Sequence, residues 1–392
     1  MNVNARSESF TKDYLTATRA IAGLIETEAP SSETRGELTP AVVQAMREAG
    51  LFWMTVPKEF GGGGADLLAT VAVNEELARA DGSAGWCFMA NYTACVVAAT
   101  YLGDSAVEEM YGQGKLPILA GAGRPSGKAR LVDGGIECEG LFGFGSGSTY
   151  SDYVSGAMML VDENDNPVLD ANGQPTIRLA FVPREKIEFL GNWEVDGLKG
   201  TGSVDFRILP QFVSDDFAPE GMGQLQRGGS FYSLGMFYFA LCGHASVALG
   251  LMKRALEEIA TVATKKRRWT SNRNVVDSPL FLNEFAEHEA DYRSARAYLM
   301  ELIGEAQAGA IAGEPMNETR LARLRQATLW AHRAGLRVVG FAYKWAGSDA
   351  VRLPNKLARV MDDIRVANQH VTQDPGVFAE VAPTLLKDWA RS

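Results

Sequence analysis

Apolar residues recur with a helical period through the first third of the 392-residue chain. Residues 67–80 form an amphipathic pattern, in which we expect Glu75 and Glu76 to lie at the polar edge of the helix. Residues 85–102 are apolar almost throughout, which predicts a helix that is buried on all sides. The pattern therefore predicts an all-α N-terminal domain over residues 1–115.

The hydrophobic pattern changes near Leu116, after which the apolar runs are short and β-branched and are separated by turn residues. The sequence Asp133-Gly134-Gly135 lies between two such runs, which predicts a β-hairpin. Further strands are predicted over residues 153–161, 176–182, 187–190 and 204–209. We therefore expect a middle β domain over residues 116–215.

A helical period returns after residue 229, in long segments that are separated by short breakers. These segments cover residues 231–268, 279–312, 318–346 and 355–372. Long helices with short connections predict an antiparallel four-helix bundle, here over residues 216–392. The apolar run 231–251 comes nearest to a membrane span, but glycines and His244 interrupt it, and we interpret it as a buried helix.

Composition narrows the classes of function. The net charge of −10, from 38 basic and 48 acidic residues, argues against a nucleic-acid partner, which needs a basic surface. The four cysteines are scattered without a C-x-x-C pair and the four histidines are far apart, so we expect neither a disulfide framework nor a metal site. The polar N-terminus lacks the apolar core of a signal peptide. These features predict a cytoplasmic protein with no membrane partner.

Glycine-containing motifs stand out in three parts of the chain. The first, Val-Pro-Lys-Glu-Phe-Gly-Gly at residues 56–62, runs into residues 74–83, and the others are residues 140–147 and 193–203. In this order and at these separations they resemble the acyl-CoA dehydrogenase superfamily, and the resemblance covers nearly the whole chain. It implies an α+β fold with an all-α N-terminal domain, a β-barrel-like middle domain and a C-terminal four-helix bundle, assembled as a homotetramer.

The resemblance also implies a flavin site at the second and third motifs. In the family, an aromatic residue packs on the isoalloxazine ring and a hydroxyl two positions later hydrogen-bonds near its reactive nitrogen; Phe144 and Ser146 stand at these places. The implied flavin contacts are Phe144, Ser146, Gly147, Trp193, Thr201 and Ser203. The residues alone also allow a plainer interpretation, in which a glycine-rich turn carries a solvent-facing serine and the third motif is a corner of the β domain.

A dense basic cluster occupies residues 265–268. It is either a solvated helix end, where cations interact favourably with the helix dipole, or a clamp for the flavin phosphate with Arg268 as the binding residue. Dehydrogenases of the family have Arg-x-x-Phe-Gly here, whereas residues 268–272 of this chain are Arg-Trp-Thr-Ser-Asn. Because the Phe-Gly pair is missing, both interpretations stay open.

The carboxylate base of the family's dehydrogenases is missing from both of its usual positions. Dehydrogenation of an acyl-CoA requires a carboxylate within hydrogen-bond reach of the carbon that loses its proton. The family carries it either in a Glu-Gly-Thr sequence near the last bundle helix or on the first bundle helix. In this chain residues 371–373 are Val-Thr-Gln, and no acidic residue lies between Gly221 and Leu256. Simple acyl-CoA dehydrogenation is therefore disfavoured.

Residues 362–370, which end in His370, instead resemble the C-terminal part of the two-component flavin-dependent monooxygenases that share this fold. The resemblance implies that a separate flavin reductase supplies reduced FMN or FAD, and that oxygen is transferred to a small apolar or aromatic substrate. It makes His370 and Ser146 the catalytic residues, since an imidazole has a suitable pKa for proton transfer near neutrality. The alternatives are an acyl-CoA dehydrogenase with a displaced base and a non-catalytic member of the fold.

The predicted substrate pocket departs from the pattern of this branch. Its members often carry a second histidine in the helix that follows the Gly-Ser-Ala-Gly-Trp sequence, here residues 82–86, and this chain has none there. We expect the pocket to contain Asn91, Tyr92, Tyr238 and His244. The aromatic residues around Tyr238 fit plain bundle core equally well. His332, next to Arg333, is expected at the surface or at an interface.

Overall fold

The computed structural model describes residues 3–220, 224–269, 272–314 and 316–390, with side chains from residue 13 onward. In this part of the chain, the helices that precede the sheet are α1 (Val3–Arg35), α2 (Pro40–Glu48), α3 (Leu67–Ala80), α4 (Gly82–Tyr101) and α5 (Asp104–Tyr111). Asp66 and Asp81 start α3 and α4, because each side chain accepts a hydrogen bond from the backbone nitrogen three residues later. α4 is buried along almost its whole length, as its apolar sequence predicts.

The strands form one sheet that follows these helices. They are β1 (Leu119–Val132), β2 (Gly135–Phe142), β3 (Tyr153–Leu160), β4 (Ile177–Pro183), β5 (Ile187–Phe189) and β6 (Phe206–Ser214). Their order across the sheet is β4-β3-β1-β2-β6-β5. β1 and β2 are antiparallel, with Val132 opposite Gly135, which confirms the predicted hairpin, whereas β1 and β3 are parallel. The division of the chain into three domains stays a prediction.

The C-terminal part is helical again. Its helices are α6 (Gly235–Lys265), α7 (Pro279–Ile311), α8 (Glu318–Ala346), α9 (Lys356–Ala367) and α10 (Val377–Trp389). The succession of helices, one sheet and further helices confirms the α+β class. The helix predicted to run to residue 372 ends earlier, because α9 stops at Ala367 and a short 3-10 turn follows at Val371–Gln373. His370 therefore lies in the loop just before that turn, and its side chain caps the turn.

The apolar helix α6 lies at the centre of the molecule. The 36-residue stretch Ser230–Lys265 is long and apolar enough to cross a membrane, and 78% of its most apolar window is buried inside the protein. α6 packs against α3, α4, α8 and α9, all of which contribute to one hydrophobic core. These contacts agree with the interpretation of α6 as the core helix of the fold, since a helix that is apolar all round buries every face.

The two acids of α3 lie in the interior rather than at its polar edge, so that expectation is wrong. Glu75 and Glu76 are only 4% and 5% exposed. The Nε atom of Arg296 on α7 donates to Glu75 over 2.8 Å, and Lys253 on α6 donates to Glu76 over 3.0 Å. These cations come from helices far away in the sequence and compensate for the burial of both charges, which the pattern of α3 alone does not reveal.

Candidate functional site

Two imidazole rings meet in the interior, close to the indole ring of Trp86. His244 on α6 and His370 after α9 have ring centroids 4.1 Å apart, with an angle of 33° between their planes. Trp86 on α4 meets both rings edge-on, at 5.0 Å from His244 and 5.7 Å from His370. The fold thus brings together two of the residues that the sequence marks as candidates, and adds to them Trp86, the last residue of the Gly-Ser-Ala-Gly-Trp sequence.

The surroundings of His370 fix which of its nitrogens carries a hydrogen. Its Nδ1 accepts a hydrogen bond from the backbone nitrogen of Thr372 over 3.3 Å and lies 2.9 Å from the Thr372 hydroxyl. Because Nδ1 is an acceptor, the neutral ring has its hydrogen on Nε2. Burial lowers the pKa of His370 to about 4. Near pH 7 this side chain is therefore an uncharged Nε2–H donor.

His244 is more deeply buried than its neighbour and lacks a partner for one nitrogen. The residue is 4% exposed, and its Nδ1 has no hydrogen-bond partner in the described part of the chain. Burial, and then the proximity of His370 and His332, lower its pKa well below the usual value. A buried polar atom without a partner costs on the order of 1–3 kcal/mol, so Nδ1 is a candidate contact for a ligand.

His332 is fully buried, which makes the expectation of a surface position wrong. It is 0% exposed, and its Nε2 lies 3.0 Å from the main-chain oxygen of His244. Because a carbonyl oxygen only accepts, Nε2 is the donor in this contact. The bond joins α8 to α6 at the turn that carries His244. The side chain of Arg333 does not predict this, because adjacent helix positions face different directions.

A chain of buried hydroxyl groups leads away from Trp86. Its indole nitrogen donates to the Ser146 hydroxyl over 3.0 Å, and Ser146 lies 2.6 Å from the hydroxyl of Ser203. Ser203 lies 2.7 Å from the hydroxyl of Thr201, which donates to the main-chain oxygen of Leu198 over 2.8 Å. The chain joins the second and third sequence motifs to Trp86 on α4. Ser146 is 7% exposed, so the interpretation of a solvent-facing serine is wrong.

Phe144 presents an aromatic ring on a strained turn. Its φ of +62° lies in the left-handed region, which a non-glycine residue adopts at a cost of about 1–2 kcal/mol. Its side chain is 74% exposed and meets the ring of Trp193 edge-on at 6.2 Å. Gly147 also has a positive φ, and a Cβ atom there would lie 2.7 Å from Oδ1 of Asn91. Exposure and strain together mark Phe144 as a residue held for a contact.

The polar atoms of three predicted pocket residues are engaged with the main chain. Asn91 donates to the oxygen of Leu119 over 2.8 Å, while the hydroxyl of Tyr92 donates to the oxygen of Phe239 over 2.5 Å. The hydroxyl of Tyr238 donates to the main-chain oxygen of Leu302 over 3.2 Å. Asn91, Tyr92 and Tyr238 are at most 1% exposed. These contacts are structural and give no support to a pocket role, and they favour the bundle-core interpretation of Tyr238.

Arg268 lies far from the imidazole pair within one chain. It follows the end of α6, and the helix between His244 and Lys265 spans about 30 Å at 1.5 Å per residue. Its guanidinium lies over the ring of Trp345, with 5.4 Å between Cζ and the ring centroid. Arg268 is exposed. Its assignment to a phosphate clamp stays a prediction.

A second buried pair, of carboxyl groups, lies behind the loop that carries Leu198. Asp363 accepts a hydrogen bond from the backbone nitrogen of Leu198 over 2.6 Å, and Asp81 accepts one from Ala84 over 3.0 Å. Burial raises the pKa of Asp81 to about 6. Burial, and then the proximity of Asp81, raise the pKa of Asp363 well above its usual value. The sequence motifs contain both acids, but only the fold indicates that they are buried together.

Comparisons with known proteins identify the family of the chain. Residues 15–114 match the family model of the acyl-CoA dehydrogenase N-terminal domain, and residues 242–375 match that of the C-terminal domain. The chain is 29% identical to the indole-3-acetate monooxygenase of Pseudomonas putida, over 84% of this chain and 82% of that protein. It is 24% identical to the oxygenase component of the FADH(2)-dependent resorcinol hydroxylase of Rhizobium sp. (strain MTP-10005), over 90% of this chain and 89% of that protein.

The fold is also similar to that of a solved structure. XiaF from Streptomyces sp., in complex with FADH2 and glycerol, superimposes with a TM-score of 0.88 over 97% of this chain and 96% of that one, at 18% identity. At this identity the likeness concerns the fold. The family models, the fold and the named relatives together confirm the resemblance that the motifs indicate. The chain belongs to the acyl-CoA dehydrogenase superfamily, in its branch of flavin-dependent monooxygenases.

Proposed function

We propose that the protein is the oxygenase component of a two-component monooxygenase. It takes reduced FMN or FAD from a separate flavin reductase and uses O2 to hydroxylate an apolar or aromatic small molecule. The name of the resorcinol hydroxylase, an oxygenase component, supports a separate reductase. The observation that carries the proposal is the close pair of the buried His244 and the partly buried His370, in a region where the family's dehydrogenases have a carboxylate.

The residues of the second motif, together with His244, fit a flavin. Phe144 offers an exposed aromatic face, on which a planar heteroaromatic ring can stack. Ser146 offers a hydroxyl oxygen, and the Nδ1 of His244 is a buried polar atom without a partner in the described chain. We propose that Phe144, Ser146, Gly147 and Trp193 form the flavin contacts, and that Thr201 and Ser203 support Ser146 through the chain of hydroxyl groups. Arg268 then holds a flavin phosphate, which requires contact with a neighbouring subunit.

The chemistry divides between the cofactor and the side chains. Reduced flavin supplies the two electrons that activate O2, so that one oxygen atom enters the product and the other leaves as water. His370, with its hydrogen on Nε2, donates a hydrogen bond to an oxygen atom that gains negative charge, because its Nδ1 is already engaged by Thr372. His244 hydrogen-bonds a polar group of the substrate. The neutral state of both rings keeps the site uncharged near pH 7.

The substrate class follows from the surroundings and from the relatives. Trp86 and the two imidazole rings form an aromatic wall that suits a flat ring compound. The names of two relatives refer to indole-3-acetate and resorcinol, which are both aromatic and carry at least one polar hydrogen. We propose an aromatic substrate with an N–H or O–H group within reach of His244.

Assembly and location belong to the same proposal. Phe237 on α6, and Leu280 and Leu282 on α7, are 64%, 59% and 51% exposed, and a homotetramer that packs the bundles together would cover such side chains. The four cysteines are all free and buried, which suits the reducing cytoplasm. Light scattering after gel filtration measures the number of subunits directly.

An oxygen-labelling experiment tests the function. The protein is mixed under argon with reduced FMN or FAD and either indole-3-acetate or resorcinol, and is then exposed to isotopically heavy O2. We expect one heavy oxygen atom in the product, detected by mass spectrometry, and none when the flavin is oxidised. The control is reduced flavin and substrate without protein.

Two results would contradict the proposal. An acyl-CoA that bleaches bound oxidised FAD, with no incorporation of oxygen into any aromatic compound, would identify a dehydrogenase. No affinity for flavin in either redox state would identify a non-catalytic member of the fold.

A further inference from the structure

The hydroxyl chain between Trp86 and Leu198 has only one possible direction. An indole nitrogen can donate a hydrogen bond but cannot accept one, and a carbonyl oxygen can accept but cannot donate. Trp86 Nε1 stands at one end of the chain, 3.0 Å from the Ser146 hydroxyl, and the Leu198 oxygen stands at the other, 2.8 Å from the Thr201 hydroxyl. Both ends are therefore fixed by chemistry rather than by the orientation of a rotatable group.

The direction follows one hydroxyl at a time. Thr201 has a single hydroxyl hydrogen, which it gives to Leu198, so the 2.7 Å contact with Ser203 needs the hydrogen of Ser203. With that hydrogen used, the 2.6 Å contact between Ser203 and Ser146 needs the hydrogen of Ser146. Every contact of the chain is then satisfied, from Trp86 through three hydroxyls to Leu198.

Ser146 can make one further hydrogen bond, and only as an acceptor. Its hydrogen is used toward Ser203, and one of its lone pairs accepts the hydrogen of Trp86. The second lone pair is the one that remains, so Ser146 can accept a further hydrogen bond but has no hydrogen to give. To donate outward, it would have to break the bond to Ser203 or force two oxygen lone pairs together within the chain.

Oxidised and reduced flavin differ in the hydrogen bond that their N5 atom can make. The N5 atom of oxidised flavin bears a lone pair and accepts, whereas N5 of reduced flavin bears a hydrogen and donates. We propose that the fixed direction of the hydrogen bonds makes Ser146 an acceptor-only contact for the N5 atom of the flavin. Thr201 and Ser203 are then positioning residues, which favour reduced over oxidised flavin by holding the Ser146 hydroxyl in this orientation. The inference rests on the proposed function, and it explains how the oxygenase would take reduced flavin from a reductase and release it once oxidised.

Two substitutions change the direction in which the Ser146 hydroxyl donates its hydrogen bond. In Thr201→Val, Ser203 has Ser146 as its remaining acceptor, so the Ser146 hydrogen turns toward the ligand. In Ser203→Ala, the Ser146 hydrogen loses its acceptor and turns the same way. Thr201→Ser keeps the hydroxyl and is the matched control. Melting temperatures of all variants show whether the fold is retained, and two different substitutions keep the test decisive if one of them fails to fold.

The readout is a ratio of affinities rather than a rate. Dissociation constants for oxidised and reduced FMN are measured anaerobically by fluorescence. We expect the ratio of the dissociation constant of oxidised FMN to that of reduced FMN to fall about tenfold in Thr201→Val and in Ser203→Ala. The reason is that Ser146 can then donate a hydrogen bond, which favours oxidised flavin. By linkage, a tenfold change lowers the midpoint potential of bound flavin by about 30 mV for a two-electron couple. The ratio in Thr201→Ser stays at the value of the unchanged protein.

The outcomes separate the inference from the function. No affinity of the unchanged protein for flavin in either state contradicts the proposed function, on which the inference depends. A clear preference for reduced flavin that is the same in both variants, with native melting temperatures, contradicts the inference and leaves the function standing. A preference of the unchanged protein for oxidised flavin contradicts the inference as well.

Discussion

The two buried pairs of titratable groups respond to the same environment in opposite directions. Burial raises the pKa of Asp81 and of Asp363, whereas it lowers the pKa of His244 and of His370. In both pairs the charged form is the one that the interior disfavours, because desolvation penalises charge of either sign. Glu76 behaves differently: burial alone would raise its pKa, but hydrogen bonds from Lys253 and Arg79 lower it. At Asp81 and Asp363 the charge of Arg359 does not outweigh burial. The protonation state of a buried acid therefore depends on its hydrogen-bonded and charged neighbours as much as on its burial.

The comparison predicts two opposing contributions to the dependence of stability on pH. The lowered pKa of the histidines means that the folded state binds fewer protons than the unfolded one, so stability is lost as pH falls through about 6.5 toward 4. The raised pKa of Asp81 means that the folded state binds more protons, so its contribution is lost as pH rises from about 4 to 6. Between about pH 4 and 6 the two contributions oppose each other, and single substitutions separate them.

The largest effect is expected from His370→Ala, which removes the proposed donor from the imidazole pair. We expect the single-turnover rate of hydroxylation to fall about 10²–10³-fold, as for loss of one preorganised donor. His370→Gln should recover part of the rate, because the amide nitrogen of glutamine lies near the position of Nε2. Equal rates for the alanine variant and the unchanged protein, with flavin bound in both, would remove His370 from the mechanism.

His332→Gln tests the histidine side of the comparison. The glutamine amide keeps a donor for the oxygen of His244 but cannot take up a proton, as His332 does with a pKa of about 4. We expect the free energy of unfolding to lose about 3 kcal/mol less between pH 6.5 and 4 than in the unchanged protein. Urea unfolding at several pH values measures this slope. Parallel curves for the two proteins would show that His332 does not titrate on unfolding.

Asp81→Asn tests the other side. The asparagine side chain still caps α4 by accepting from Ala84, but it carries no charge into the interior. The unchanged protein should lose on the order of 2–3 kcal/mol between pH 4 and 7 through this group, and the variant should lose less. The two proteins are expected to differ least at pH 4, where Asp81 is protonated. A difference that is constant with pH would mean that the effect is one of packing.

The smallest effect is expected at Phe144, an uncharged residue. Its energetic cost lies in the strain of the backbone, whereas the cost of the histidines and aspartates lies in the burial of charge. In Phe144→Gly the left-handed turn loses its strain, so the flavin-free protein should gain about 1 kcal/mol of stability while flavin binding weakens. Gln113, with a φ of +57°, is the matched control: Gln113→Gly should give a similar gain without loss of affinity. Thermal melts and flavin titrations measure both quantities. A weaker affinity in both variants would contradict a specific role for Phe144.

The sequence predicts those elements whose signals are local. The range 318–346 is predicted to the residue, because Asn317 caps the start of α8 and Gly347 ends it. The turn of the β1–β2 hairpin is also predicted, because Asp133 and Gly134 favour a tight turn, but both strands extend beyond the apolar runs that flank it. The end of α9 is missed, because His370 caps a separate turn through its side chain, and a helical period continues past that point.

The site is predicted only in part, because its contacts join residues far apart in the chain. The motifs indicate Ser146, Ser203 and His370, but the bond from Trp86 to Ser146 spans 60 positions and has no local signature. The burial of His332 depends on the oxygen of a residue 88 positions away. Asn91 and Tyr92 are the nearest polar residues in an apolar helix, and such residues often hydrogen-bond the main chain, as these two do.

The edge-on position of Trp86 against both imidazoles gives the enzyme an internal optical reporter. Indole emission is sensitive to neighbouring protonated imidazole and to stacked aromatic guests, and Trp86 contacts both rings of the pair. The difference between the emission of the unchanged protein and that of Trp86→Phe would isolate this signal from the other tryptophans of the seven in the chain. The arrival of a ligand could then be followed in real time without any added label.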